Sequence, residues 1–344
     1  MRLEELFTEA VKKNASDIHL IVGLAPIIRV EGNLEPLHKA VLTRKEMETV
    51  VYNALDAGQK KIIDQEKELD FSFEVKGVSR FRVNIHWEKG NLGLAARIIT
   101  GHIPTLEELL MPQIVYDLTR MPQGLILVTG PTGCGKSTTL GAMIDLINTE
   151  RKENIITLED PIEFLFESKE SIIRQRQLHS DMRTFAQGLK HMLRQDPDVI
   201  MVGEMRDLET IATTITLAET GHLVLATLHT YSAAQTVDRI IDIFPPHQQN
   251  QVRMQLSMTL KGIISQRLIS GMDGKRLATR EILINTPAIA NLIRENKIAQ
   301  IKTAIQTGAD DGMITMDQDL KELAKQNKIS KETALANMMN PETF

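Results

Sequence analysis

The chain has a single cysteine, Cys134, in 344 residues. That excludes an internal disulfide and a zinc site built from several thiolates, and it fits a reducing compartment. Aromatic residues make up only 4% of the chain, which argues against platforms for stacking bases. There is no excess of positive charge. Lys+Arg number 40 and Asp+Glu number 45, giving a net charge of −5, a poor basis for gripping a nucleic-acid backbone over a wide surface. Long apolar runs are missing too, and none approaches the ~18 residues that span a bilayer. The opening face of Leu3, Leu6, Phe7, Ala10 and Val11 is interrupted by acids, unlike the core of a signal peptide. A cytoplasmic protein is expected, with no nucleic-acid partner and at most peripheral membrane contact. No internal repeat or low-complexity tract is visible. What remains is ordinary: 42% hydrophobic and 25% charged residues, as in globular chains. At about 150 residues per domain the length suggests two domains, each able to bury its own core.

The first hundred residues read as a small α/β unit. A helix opens the chain, Ser16–Val22 reads as a strand, and Pro26–Asn33 reads as a second strand running into a turn. Thr43 is a fitting N-cap for a helix to about Ala57, with Glu46 three residues on as its capping-box partner. Leu69–Val75, Arg80–Ile85 and Leu92–Ile99 then alternate between glycine breaks, which predicts an antiparallel sheet with one wet face. Prolines 104, 112 and 122 punctuate a connector over 101–122, with a short helix expected at Leu106–Leu110. Beyond it the strands become continuous apolar runs at 125–128, 155–158, 199–202 and 223–226, with helical stretches such as Met182–Arg194 between them. Runs buried on both faces and separated by helices predict a parallel α/β sheet. From Pro287 onward the pattern is helical, with Met316, Leu320 and Leu323 spaced as a buried stripe. The expected divisions are 1–100, 101–122, 123–286 and 287–344.

Four elements carry chemistry. The first is Gly130-Pro131-Thr132-Gly133-Cys134-Gly135-Lys136-Ser137-Thr138, which fits the phosphate loop G-x-x-x-x-G-K-[ST] between a buried strand and a helix. Glycines let the backbone curl its N–H groups toward phosphate oxygens, and the helix start adds its positive dipole end. Lys136 is expected on the β- and γ-phosphates of ATP, and the Ser137 hydroxyl on Mg²⁺. The second is Asp198–Glu204, a Walker B-like strand whose usual final aspartate is Gly203, so the acid falls one place later, at Glu204. Glu204 is placed to orient or deprotonate a water. The third is Glu159-Asp160-Pro161-Ile162-Glu163 after a strand. Glu163 or Glu159 can hold a metal-bound water there. The same residues also suit a helix start, with Asp160 as N-cap, Pro161 at N1 and Glu163 at N3. The fourth is Thr220–Thr230, in which His222 and His229 bracket a buried strand. His229, at the carboxyl end, is the one placed to sense a γ-phosphate.

In their order and spacing these elements resemble the type II/IV secretion ATPases: the Walker A loop, ITLEDPIEF, DVIMVGEMRD and AETGHLVLATLHT. ASDIHLIVGLAPIIRVEG and FSFEVKGVSRFRVNI resemble the family's N-terminal domain, and DRIIDIFPPHQQNQVRMQLS is similar too. The resemblance implies a PAS-like α/β domain, a RecA-like P-loop ATPase domain and a helical C-terminal tail. It further implies a homohexameric ring that retracts type IV pili by hydrolysing ATP at the base of the pilus, working on a platform protein of the inner membrane. It also implies that arginines of the N-terminal domain, here Arg82 and Arg97, complete a nucleotide site. From the residues alone, plain exposed arginines on the wet face of a sheet are an equally good reading of both. There are two departures. Cys134 stands where serine is usual. Ala288–Glu295 reads AIANLIRE, with Ala290 in place of the first arginine of the retraction signature. The second departure keeps an accessory retraction paralogue open as an alternative. An assembly ATPase and a RecA-like DNA translocase are the remaining ones.

Overall fold

The computed structural model describes residues 2–99 and 102–344. By their contacts, Met1–His102 and Pro161–Leu165 form one unit, and Ile103–Asp160 with Phe166–Phe344 form a second.

The first unit contains α1 (Leu3–Lys12), β1 (Asp17–Leu20), β2 (Ile27–Val30), β3 (Asn33–Pro36), α2 (Arg44–Ala54), α3 (Ala57–Glu66), β4 (Glu68–Val75), β5 (Ser79–Glu88) and β6 (Asn91–Ile99). Its six-stranded sheet has the order β3-β2-β1-β6-β5-β4, antiparallel throughout. Alternation sends Phe81, Val83 and Ile85 inward against Leu6, Phe7, Met47 and Val51 of α1 and α2. Phe7 and Phe81 stack with centroids 4.2 Å apart. The sheet's other face carries the polar residues of β5 and β6. Thr43 caps α2 as expected, and Glu46 closes the box. The strand expected over 26–33 and the turn it runs into are the first half of a hairpin. Glu31 and Gly32 both take positive φ, +47° and +86°, the geometry of a tight turn that sends the chain back as β3. The predicted helix to Ala57 stops early because Asp56 accepts from Gly58 and Gln59 N–H and caps a new helix, α3.

The second unit runs α4 (Gln113–Thr119), β7 (Gly124–Thr129), α5 (Lys136–Glu150), β8 (Asn154–Glu159), β9 (Ile172–Gln177), α6 (Phe185–Met192), β10 (Val199–Val202), α7 (Leu208–Glu219), β11 (Leu223–Leu228), α8 (Ala233–Asp242), α9 (Pro246–Thr259), β12 (Leu260–Ser270) and β13 (Arg276–Ile284). Four helices follow: α10 (Pro287–Arg294), α11 (Ile301–Thr307), α12 (Met316–Lys325) and α13 (Lys331–Asn337). The seven-stranded sheet has the order β13-β12-β7-β11-β10-β8-β9, with only β13 antiparallel. Every residue of β7, β10 and β11 is buried, which is why these strands read as unbroken apolar runs. Met316, Leu320 and Leu323 are buried together on α12.

The helix expected at Leu106–Leu110 is a turn. Thr105 and Glu108 do exchange capping-box hydrogen bonds, but Leu110 takes φ +54° and Pro112 follows, which ends the turn before a helix can extend. The helix lies one step later, as α4.

Candidate nucleotide-hydrolysis site

β7 ends at Thr129, and the loop turns at Gly130, Gly133 and Gly135, all with positive φ. At Gly130 no other residue fits, because an added Cβ would lie 2.3 Å from the Gln266 carbonyl oxygen and 2.6 Å from Cys134 Sγ. Gly135 is the left-handed N-cap of α5 and has no side chain to cap the first turn. The first N–H groups of α5, at the positive end of its dipole, therefore suit an anion.

Lys136 is buried in this loop. Its ammonium donates to the carbonyls of Gly130 (2.9 Å) and Pro131 (3.0 Å) and lies 3.4 Å from His229 Nδ1. An ammonium only donates, so Nδ1 must be the accepting nitrogen and the ring proton sits on Nε2. His229 Nε2 in turn faces Glu204 Oε1 at 2.9 Å. Arg206 holds the same carboxylate with two nitrogens, Nε to Oε1 at 2.7 Å and Nη2 to Oε2 at 2.8 Å. Lys136, His229, Glu204 and Arg206 thus form one continuous polar chain across the carboxyl ends of β7, β11 and β10. Burial pushes the Glu204 pKa up. The hydrogen bonds from Arg206 and His229 outweigh it, together with the charge of Arg206, and leave the carboxyl below its ordinary value of 4.5.

Gly203 explains the displaced acid. A Cβ there would lie 3.0 Å from the Leu158 carbonyl oxygen and 3.3 Å from Glu159 Cα. The end of β10 is pressed against β8, and the first side chain with room to project is that of Glu204. Beside it opens a cavity of about 590 Å³, lined by Glu204, Arg206, His229, Gln235, Asp238 and Arg239 among others.

The profile of the type II/IV secretion system protein family matches residues 1–337. The chain belongs to that family. It is 48% identical to the type IV pilus retraction ATPase PilT of Pseudomonas aeruginosa over 344 residues, covering both chains entirely. It is 39% identical to the type IV pilus ATPase PilU of the same organism, covering 98% of this chain and 88% of that one. The crystal structure of the pilus retraction motor PilT with bound ADP superimposes with a TM-score of 0.93 at 44% identity, covering 100% of this chain and 99% of the other. The fold is accordingly that of a P-loop secretion ATPase, and the enzyme class is ATPase.

Other expected residues fall differently in this family member. Ser137 and Thr138 are half-buried in the first turn of α5, while Pro131, Thr132 and Gly133 form the exposed to half-exposed crest of the loop. Asp160–Glu163 is not a helix start but an irregular loop. Its acids take unrelated places. Glu159 is buried and accepts from Thr157 Oγ1 (2.6 Å) and Gln175 Nε2 (2.9 Å), which ties β8 to β9. Glu163 groups with the first unit, where it lines a cavity of about 250 Å³ with Glu74, Ser79 and Arg80. His222 stays at the far end of β11, with Nδ1 2.9 Å from the Leu217 carbonyl oxygen, and closes the turn after α7.

Arg82 and Arg97 lie in the first unit on one face of its sheet. The register places Ser72, Arg82, Arg97, Asp17 and Arg29 side by side across five strands. Directly opposed arginines repel, and Asp17 offsets this. It bonds Arg97 Nε at 2.9 Å and lies 3.9 Å from Arg29 Nε. Burial pushes the Asp17 carboxyl up, but Ser16 and Arg97 hold it below its ordinary value. The Arg97 side chain is still 73% exposed, so it can reach an outside anion.

Cys134 is 2% exposed, and burial raises its thiol pKa more than Lys136 lowers it. The thiol is neutral and covered, so its place beside Lys136 does not make it a reactive thiolate. Ellman's reagent is expected to label the native chain at least tenfold more slowly than the same chain in denaturant. Equal rates would mean that the loop opens freely.

Sequence reasoning missed two residues here. Arg206 stands two places after Glu204, where its spacing was a usable signal. Gln266 gave no local signal, because it lies 132 residues from its partner Cys134.

Proposed function

We propose that this chain is an ATP-hydrolysing motor that retracts type IV pili, in which the phosphate loop binds ATP and Glu204 activates water. The observation that carries the reading is the polar chain from Lys136 through His229 to Glu204, which joins the loop to the acid. The full-length similarity to PilT supports the retraction role.

On this reading Lys136 exchanges the carbonyls of Gly130 and Pro131 for the β- and γ-phosphates. The positive-φ glycines and the uncapped start of α5 suit that anion. Among the described residues no three His, Cys, Asp or Glu side chains cluster as a metal site. The Ser137 hydroxyl would hold Mg²⁺ together with phosphate oxygens, the usual manner for this ion. When bound, the ion neutralises charge on the phosphates. His229 senses the γ-phosphate because it contacts both Lys136 and Glu204. Arg82 and Arg97 serve a nucleotide site of a neighbouring subunit in a homohexamer.

No helix among the described residues is long and apolar enough to cross a membrane. Contact with the inner membrane is peripheral, through a PilC-like platform protein, and a PilU-like paralogue is a second partner.

The alternative is that this chain is itself the accessory, PilU-like subunit. Ala290 favours it, because α10 shows this residue partly to solvent, where an arginine would be free to meet a partner. Expressing the chain in cells that lack every retraction ATPase separates the two. A retraction motor restores twitching alone, and its Lys136→Ala variant does not. Restoration only when PilT is supplied as well would favour the accessory reading.

A further inference from the structure

We propose that Gln266, on β12, is a positioning residue that sets the shape of the phosphate loop by locking the Cys134–Gly135 peptide. The proposal rests on the reading of that loop as the nucleotide cradle.

Gln266 is 1% exposed, and its amide is paired on both sides. Nε2 donates to the Cys134 carbonyl at 2.9 Å, and Oε1 accepts from Thr139 Oγ1 at 3.0 Å. Its backbone carbonyl presses on Gly130, where it excludes any Cβ. The preceding residue, Ser265, bonds through Oγ to Thr129 Oγ1 at 2.8 Å. Two consecutive residues of β12 thus touch the loop at its entry, its middle and the first turn of α5.

The middle contact matters most. Gly135 has φ +89°, and a glycine peptide can flip at little steric cost. The peptide is planar and trans, so its C=O and N–H point in opposite directions. A Cys134 carbonyl drawn to β12 therefore turns the Gly135 N–H away from β12. Without the Gln266 amide, no side-chain donor among the described residues holds that orientation. An N–H fixed in this way contributes equally to the bound substrate and to the transition state, so its loss should raise KM and leave kcat nearly unchanged.

The test is Gln266→Met, which keeps length and burial but loses both bonds, beside Thr139→Val, which loses one. Binding of a fluorescent ADP analogue, ATP turnover and melting temperature are measured on the full chain. Gln266→Met should weaken ADP binding and raise the KM for ATP about tenfold, with kcat within about threefold of wild type. Thr139→Val should shift binding in the same direction by less. The double variant should bind no more weakly than Gln266→Met, because both changes break one shared bond. If Gln266→Met does not fold, the Thr139→Val result decides. Unchanged ADP binding with only a lower melting temperature would overturn the proposal, as would a lower kcat at unchanged KM. Lys136→Ala is the control for the underlying reading. If it binds ADP as wild type does, the nucleotide cradle itself is misassigned. If it loses binding while Gln266→Met keeps it, only the role of Gln266 fails.

Discussion

Replacing Glu204 with glutamine is expected to leave ATP bound and to slow its hydrolysis by about 10²–10⁴-fold, the range for losing a positioned general base. Glutamine has nearly the same shape and still presents an oxygen to Arg206. It has no basic carboxylate with which to draw a proton from water. Single-turnover hydrolysis with nucleotide bound at saturation measures the effect. Near wild-type turnover in Glu204→Gln, with loss in Glu163→Gln, would move the role to Glu163. The pH profile carries a further signature. Arg206 and His229 hold the Glu204 carboxyl below 4.5 against the upward push of burial. The group therefore stays ionised, and active as a base, below the usual carboxylate range. Arg206→Gln removes two of its hydrogen bonds, so the acid limb of the rate profile should move to higher pH.

Mixing two inactive variants is expected to restore part of the ATPase activity. Lys136→Ala loses the buried ammonium of its own loop. Arg97→Ala loses a guanidinium of the first unit, which in a ring would act on a neighbour. An arginine supplied across a subunit boundary is worth roughly 10³–10⁵ in rate in well-characterised systems, so each variant alone should be inactive. In mixed rings a Lys136→Ala subunit can lend its Arg97 to a neighbour with an intact loop, and complete sites reappear. The present pairing of Arg97 with Asp17 does not oppose this. The guanidinium is largely in water, and an exposed ion pair of this kind is worth little. Recovery that rises and falls with the mixing ratio is the expected result. Verified mixed rings with no recovery, alongside a wild-type doping curve showing that single sites can fire, would assign Arg97 to its own subunit or to a structural role.

The parts of this molecule that could be read from sequence are those whose cause is local. β7, β8, β10 and β11 announced themselves because both faces are buried. The phosphate loop did so because glycine spacing and helix position are fixed within nine residues. What stayed hidden depends on distant partners. β9 is two isoleucines followed by four polar residues, Arg174–Gln177, at a sheet edge, with Ile172 more than half exposed, and carries no apolar run. β12 and β13 bury Ser265, Gln266, Arg280 and Glu281, residues that argue against an interior strand until their partners are known. Arg280 is the clearest case. Its guanidinium donates to the carbonyls of Leu109 and Leu110 from 170 residues away, and its backbone N–H bonds Asp319. The acidic cluster after β8 shows the opposite error. Its spacing suited a helix cap, but Glu159 is spent on Thr157 and Gln175, and no helix follows.

The position of β7 in its sheet also sets a timetable for synthesis. β7 is the first strand of its unit to leave the ribosome, yet both its neighbours, β11 and β12, come later in the chain. Thr129 meets Ser265 across a separation of 136 residues. At roughly 5–20 residues per second that gap lasts about 7–27 s. Through this interval the β7 strand, buried along its whole length in the fold, has no flanking strand on the β12 side. The growing chain must shield it with chaperones or with partial folding of its own unit, and a ribosome that stalls before residue 265 leaves this strand exposed to aggregation.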